Sequence, residues 1–273
     1  MADLVSNQDW EIDPDGNIFA TGGRTELRWV RSTGDRRKTA LVKTAPPNTG
    51  REVYSLGMEW VAWKLGTDLG VPIPRVWLED FNGQPAAVIE RIENQRDWRT
   101  GDAAPMLKSK IGNEDCWPIS VAFDVWIANS DREPRHILLQ PDPPNDRIAV
   151  ARGCRVWFID HGVSGLWFPS KFDPALGLDD TEKVEVGDGT MHERAERAAR
   201  AVMPKEIRNA LLGLEDEPKS AVLDCVRAMT DDQIDQTVEA VPAVYMTAQE
   251  SEKTAALLKA RRDRIDTLVS GYW

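Results

Sequence analysis

The first stretch of about ninety residues alternates apolar patterns of period two and period 3.6 in one order, β–β–α–β–β. Glu26–Arg31 and Lys38–Thr44 are short β-type runs, and the Gly and Asp within residues 32–37 predict a hairpin between them. A Pro/Gly loop at residues 45–50 leads to Val53, Leu56, Trp60, Val61, Trp63 and Leu65 at helical spacing, a helix that stops near Gly70 and Pro72. Two more strands, residues 75–79 and 85–92, flank the turn Asn82-Gly83. Such an order commits the segment to a small α+β lobe.

The pattern then changes. Residues 119–128 (ISVAFDVWIA) are apolar nearly all round and predict a buried helix. A polar loop, Asn129–His136, separates it from the short apolar run Ile137-Leu138-Leu139. Residues 155–159 (RVWFI) predict a buried strand ending in Asp160-His161-Gly162. The final third is helical, with capping boxes at Thr190/Glu193, Thr230/Gln233 and Thr247/Glu250, and Pro204 suits a first helical turn. Plain helical packing accounts for these segments. Whole-chain length, 273 residues, allows one large domain or two modest ones.

Charge narrows the function classes. The net charge of −11 and pI near 4.9 argue against non-specific nucleic-acid or anionic-membrane binding, both of which need a basic face. No run reaches the ~20 apolar residues of a membrane span, and the acidic N-terminus does not resemble a signal peptide. The three cysteines are far apart in sequence, which fits reduced thiols and a cytoplasmic location.

Three ionisable sites, the first a pair, stand in or at the ends of apolar elements. Lys43 closes the strand ALVK, where burial is unfavourable unless an acid or phosphate pairs with it. Glu59 lies in the next helix between Met58 and Trp60. Asp131 follows the buried helix and could accept a proton from a hydroxyl nucleophile. Asp160 leaves a buried strand at a glycine-relieved turn, a place that suits a metal carrying phosphate oxygens. Singly, these residues read as exposed charges, an Asx-turn and a strand-terminating turn. In order, they match the parts of a kinase-like phosphotransferase: a cation for phosphates, its acid partner, a base and a metal-binding carboxylate.

The segments MEWVAWKLGTDLGVPIP, NSDREPRHILL and WFIDHG together resemble the HipA-like kinases, most of all their short stand-alone bacterial members, relatives of the phosphatidylinositol 3/4-kinase group. The resemblance covers roughly Ala20–Trp167, and the ending LLKARRDRIDTLV is similar too. It implies a two-lobed kinase-like α+β fold, with a β-rich N-lobe at 1–93 and a mostly helical C-lobe at 94–273. It also implies ATP as a cofactor with Mg²⁺, and serine or threonine of a protein as the acceptor. By the same resemblance Lys43 meets the ATP phosphates and Glu59 is its partner. Gly22, Gly23 and Arg24 lie in the phosphate-covering loop, and Glu90, Arg91 and Ile92 in the adenine-contacting hinge. Asp131 is the catalytic aspartate, and Asp160 binds metal.

His136 departs from the pattern, because the family has asparagine there as a ligand of the second metal. Imidazole is a poor partner for Mg²⁺. The substitution weakens one metal site, shifts preference towards Mn²⁺, or marks a pseudokinase acting through protein contacts. A small-molecule kinase is a further alternative. His161 reads as structural, supporting the site rather than acting as a base.

Overall fold

The computed structural model describes residues 9–13, 26–35, 38–45, 50–97, 111–113, 116–129, 132, 134–141, 153–165 and 216–269. The predicted segments Gly22–Arg24 and Asp131, the capping box at Thr190 and the helix start at Pro204 lie outside the described residues.

Five strands form one antiparallel sheet in the order β1-β2-β3-β5-β4. They are β1 (Trp10–Ile12), β2 (Glu26–Ser32), β3 (Thr39–Thr44), β4 (Val76–Phe81) and β5 (Gln84–Glu90). The four expected strands are present. The short β1, pairing Trp10 with Ser32 and Ile12 with Val30, was not foreseen, because three residues carry too little periodicity to read. Asn82 and Gly83 both take positive φ, 55° and 78°, as a two-residue hairpin loop between Phe81 and Gln84 requires.

Alternation gives the sheet two apolar faces. Val30, Ala40, Val42, Ala86 and Val88 share one face with Phe81 and the partly buried Trp10 and Trp77. The other face meets helix α1 (Gly50–Asp68) and carries Val76, Leu78, Ala87 and Ile89. The register pairs Lys43 with Ala87, and Ala87 with Leu78, so Lys43 stands in an apolar row on the α1 face. α1 ends where the sequence predicted. The Val71 N–H donates to Gly66 O, the Gly70 N–H donates to Thr67 O, and Gly70 itself sits at φ 78°.

A second antiparallel sheet, β6-β7-β8, comprises β6 (Arg96–Asp97), β7 (Ile137–Pro141) and β8 (Cys154–Phe158). Beneath it lies α2 (Cys116–Trp126), buried over almost its whole surface as its composition demands. A 3₁₀ turn, Pro134–His136, delivers the chain into β7.

Four helices complete the described chain: α3 (Asp216–Arg227), α4 (Asp231–Glu239), α5 (Ala248–Asp263) and α6 (Ile265–Val269). Both predicted capping boxes within this region form, at Thr230/Gln233 and Thr247/Glu250. This block grips α2 by its ends and edges. Trp126 Nε1 donates to Leu258 O, and Arg261 donates to the Val125 and Trp126 carbonyls at the C-terminus of α2. It also reaches the first sheet, where Tyr245 donates to Glu79 O at 2.6 Å, and α1, where Tyr54 bonds Thr254 at 3.0 Å.

Candidate active site

Lys43 is the meeting point. β3 directs it onto the α1 face, where its Nζ bonds Glu59 Oε1 from α1 and Asp160 Oδ1, 2.6 Å away, from the turn after β8. The lysine and glutamate are buried, while the Asp160 side chain keeps 32% exposure. Burial opposes the ammonium, but Asp160 and then Glu59 outweigh it and lift the Lys43 pKa above its ordinary value. Burial also opposes ionisation of Asp160. Lys43 outweighs it and holds that carboxyl well below the usual carboxylate range. Glu59 is pushed up by burial, an effect that Lys43 only partly offsets.

Local backbone explains how Asp160 arrives there. The residue takes φ 62°, a left-handed conformation that aspartate tolerates better than most side chains. The chain then passes close under α1. A Cβ on Gly162 would lie 3.0 Å from Ser55 O and 3.1 Å from Glu59 Oε1. The His161 N–H donates to Glu59 Oε2 at 3.0 Å, so Glu59 is held by both Lys43 and the turn.

His136 comes from the 3₁₀ turn with its Nε2 3.2 Å from Asp160 Oδ2. That nitrogen accepts from Arg135 Nε at 3.1 Å. The proton of the neutral ring is therefore assigned to Nδ1. Burial lowers the His136 pKa to about 4, so two acceptors face each other near neutrality.

The sequence reading missed Asp124, the one carboxylate in a helix that reads as apolar nearly all round. Its carboxylate accepts from Arg132 Nε (2.7 Å) and Nη2 (2.9 Å), and from Asn129 Nδ2 (2.8 Å). Burial works against its charge but Arg132 prevails, and the pKa falls below the usual value. A lone carboxylate amid ISVAFDVWIA was the available signal, since burying a charge demands a partner. His161 Nε2 lies 2.7 Å from Arg132 Nη2 and must accept from it. Burial, then Arg132, lower this ring's pKa to about 3. The ring is 1% exposed, and its Nε2 is occupied by the Arg132 guanidinium.

The structure thus brings together Lys43, Glu59, Asp160 and His136. Glu90, Arg91 and Ile92 sit apart from them, at and just beyond the end of β5. The Glu90 N–H donates to Arg75 O and the Arg91 N–H to Thr39 O, Arg91 stacks over Trp29 at 4.8 Å, and Ile92 is buried. Among the described residues no three His, Cys, Asp or Glu side chains converge as a metal cluster.

No family model and no curated protein matches the chain. Its fold is similar to that of solved kinases. The Helicobacter pylori proinflammatory kinase CtkA superposes with a TM-score of 0.59 at 13% identity, over 98% of this chain and 98% of that one. Shewanella oneidensis HipA, in a complex with HipB and operator DNA, gives 0.40 at 13% identity, over 94% of this chain and 68% of that one. The chain has a two-lobed, kinase-like α+β fold, as the sequence led us to expect.

Proposed function

We propose that the chain is an ATP-dependent phosphotransferase, a HipA-like serine/threonine protein kinase that moves the γ-phosphoryl of ATP to a hydroxyl. The observation that carries the reading is the shared ammonium of Lys43, bonded at once to Glu59 and Asp160 from two distant parts of the chain. An ammonium has three donors. Two are directed at carboxylates, which leaves one for a phosphate oxygen and fixes its direction.

On this reading Glu59 restrains Lys43 against the α/β-phosphates, and Asp131 accepts the proton of the attacking hydroxyl. Gly22, Gly23 and Arg24 cover the phosphates. The base lies against the backbone of Glu90–Ile92; because the Glu90 and Arg91 N–H groups already serve the strands, a backbone donor falls to Ile92 or beyond.

A divalent cation would be held between Asp160 Oδ2 and His136 Nε2, 3.2 Å apart, once the cation displaces the Arg135 Nε–H that occupies the lone pair of Nε2. Asp160 and His136 would hold it, with the remaining ligands drawn from phosphate oxygens and water. A bound Mg²⁺ or Mn²⁺ supplies neutralisation of charge developing on those oxygens. The nitrogen donor favours Mn²⁺.

We place the protein in the cytoplasm, with a protein substrate and without nucleic-acid or membrane partners. The three cysteines are unbonded, and no helix among the described residues is long and apolar enough to cross a membrane.

The test is transfer of label from γ-labelled ATP in Mg²⁺ or Mn²⁺, followed by identification of the labelled product. Phosphoserine or phosphothreonine on protein supports the reading, and label on a metabolite replaces it with a small-molecule kinase. His136 in the place of an asparagine favours one second reading, a nucleotide-binding pseudokinase. Nucleotide binding without any transfer would establish that reading instead.

A further inference from the structure

Arg132 is buried, 4% exposed, and each of its five N–H donors has a partner. Nε and Nη2 grip the Asp124 carboxylate at 2.7 and 2.9 Å. The second Nη2 donor meets His161 Nε2 at 2.7 Å. Nη1 donates to two backbone carbonyls, His136 O at 3.2 Å and Ile159 O at 2.7 Å. Its Cζ also lies over the Phe158 ring, 5.5 Å from the ring centre.

These partners have a pattern. Asp124 belongs to α2, the most completely buried helix among the described residues. His136 and Ile159 stand on the two segments that carry the candidate metal-holding groups, and Ile159 directly precedes Asp160. Asp131 is one peptide bond from Arg132 in the sequence. A further bond, Ile159 N–H to His136 O at 3.0 Å, closes the same junction.

We infer that Arg132 is a positioning residue for phosphoryl transfer, anchored to α2 by Asp124 and steadied by His161, which sets the spacing between the Pro134–His136 turn and the Asp160 turn. This inference rests on the phosphotransferase reading of the same site. Stability alone is a poor reason for such a group, because apolar residues often replace a buried ion pair without loss. A planar five-donor fork that ties two loops to one rigid helix, by contrast, has no apolar equivalent. Lysine cannot reproduce it, having three donors and no fork.

The experiment compares the full-length wild type with Arg132→Lys and Asp124→Asn. Asparagine at 124 retains an acceptor for the guanidinium, and so supplies a folded variant should the lysine fail to fold. Phosphate release from labelled ATP in Mn²⁺ gives kcat, a fluorescent ATP analogue in EDTA gives metal-free nucleotide affinity, and amide hydrogen exchange reports the junction. A displacement of about 1 Å in the reacting groups lowers kcat by about a hundredfold. We expect that loss in Arg132→Lys and a smaller one in Asp124→Asn, with metal-free affinity preserved. The Ile159 and His161 amides should exchange faster while the β7–β8 ladder keeps its protection.

Unchanged kcat, or exchange rising equally through β7, β8 and α2, would overturn the inference. If the wild type transfers no phosphate, the phosphotransferase reading fails separately and the exchange arm decides the junction. Selective loss of Ile159 and His161 protection then upholds Arg132 as the tie between the loops, and unchanged protection refutes it.

Discussion

Lys43 Nζ and Asp160 Oδ1, 117 positions apart in sequence, lie 2.6 Å apart in the folded chain. Their bond joins the five-stranded sheet to the turn that follows the second sheet. Glu59, on the helix between, bonds the same ammonium, so one side chain couples three segments of the molecule. Substitutions at this junction affect folding as well as chemistry.

Lys43→Met should abolish transfer and also destabilise the protein, because it leaves buried Glu59 without its counter-ion. Breaking a buried pair from one side costs about 3–5 kcal/mol; the partial exposure of Asp160 puts the expected loss at the lower end, about 3 kcal/mol. Adding Glu59→Gln should recover part of the stability and none of the transfer. Urea denaturation together with labelled-ATP assays separates the two effects, and a fully active Lys43→Met would exclude the phosphate-binding role.

At Asp160 the backbone distinguishes two variants. Asparagine accepts the left-handed φ of 62°, so Asp160→Asn should keep the fold while losing most metal-dependent nucleotide affinity. Alanine adds backbone strain of about 1 kcal/mol. Calorimetric titration with Mn²⁺–nucleotide tests this, and unchanged affinity in Asp160→Asn would sink the metal-holding assignment.

Gly162→Ala should displace Glu59 rather than merely fill space. The added methyl would stand 3.0 Å from Ser55 O, a backbone atom, and 3.1 Å from Glu59 Oε1. The turn or the carboxylate has to yield. We expect weaker transfer and a loss of about 1–3 kcal/mol, with a crystal structure of the variant revealing Glu59 moved from Lys43. An undisturbed Lys43–Glu59 contact with normal activity would contradict this.

His136→Asn should shift metal preference from Mn²⁺ towards Mg²⁺, since an amide oxygen replaces an imidazole nitrogen. Rates measured in each metal across a concentration series give the ratio. A wild type already fully active in Mg²⁺, and indifferent to the substitution, would mean that the ring only packs against the loop.

Stability should fall on acidification from neutral pH. His136 and His161 are held neutral by burial, with folded-state pKa values near 4 and 3, against 6.5 for the ordinary side chain. As pH drops through 6.5 the unfolded chain takes up these protons first, so the equilibrium moves towards it. Stability is at its plateau above about pH 6.5 and declines until about pH 4 for His136 and about pH 3 for His161, where the folded state protonates too. Asp124, with its depressed pKa, adds to the decline below its ordinary value of 3.8. Urea midpoints taken from pH 8 to pH 4 should follow this course, and a flat profile would refute the neutral assignments.

Much of the local structure was readable because its causes span only a few residues. The Asn82-Gly83 hairpin rests on two positive-φ positions, the end of α1 on one glycine, and the caps at Thr230 and Thr247 on residues three apart. The identity of Lys43, Glu59 and Asp160 as misplaced charges was legible for a similar reason: each sits in an apolar context that raises the free energy of an unpaired ion. The resemblance already paired Lys43 with Glu59; what the sequence could not supply was Asp160 as a second partner of the same ammonium. That one ammonium serves both carboxylates follows from the register setting Lys43 opposite Ala87 and from a left-handed turn carrying Asp160 under α1. Asp124 escaped notice because apolar periodicity marks a helix as buried without revealing which polar group it shelters. Its partner Arg132 is only eight positions away, yet their bond depends on where the fold places residue 132 against α2. The sequence by itself determined the elements and the charges that needed partners. Tertiary structure alone decided the partners of Asp160 and Asp124, because Coulomb attraction and hydrogen bonding act at a few ångströms in space, whatever the separation along the chain.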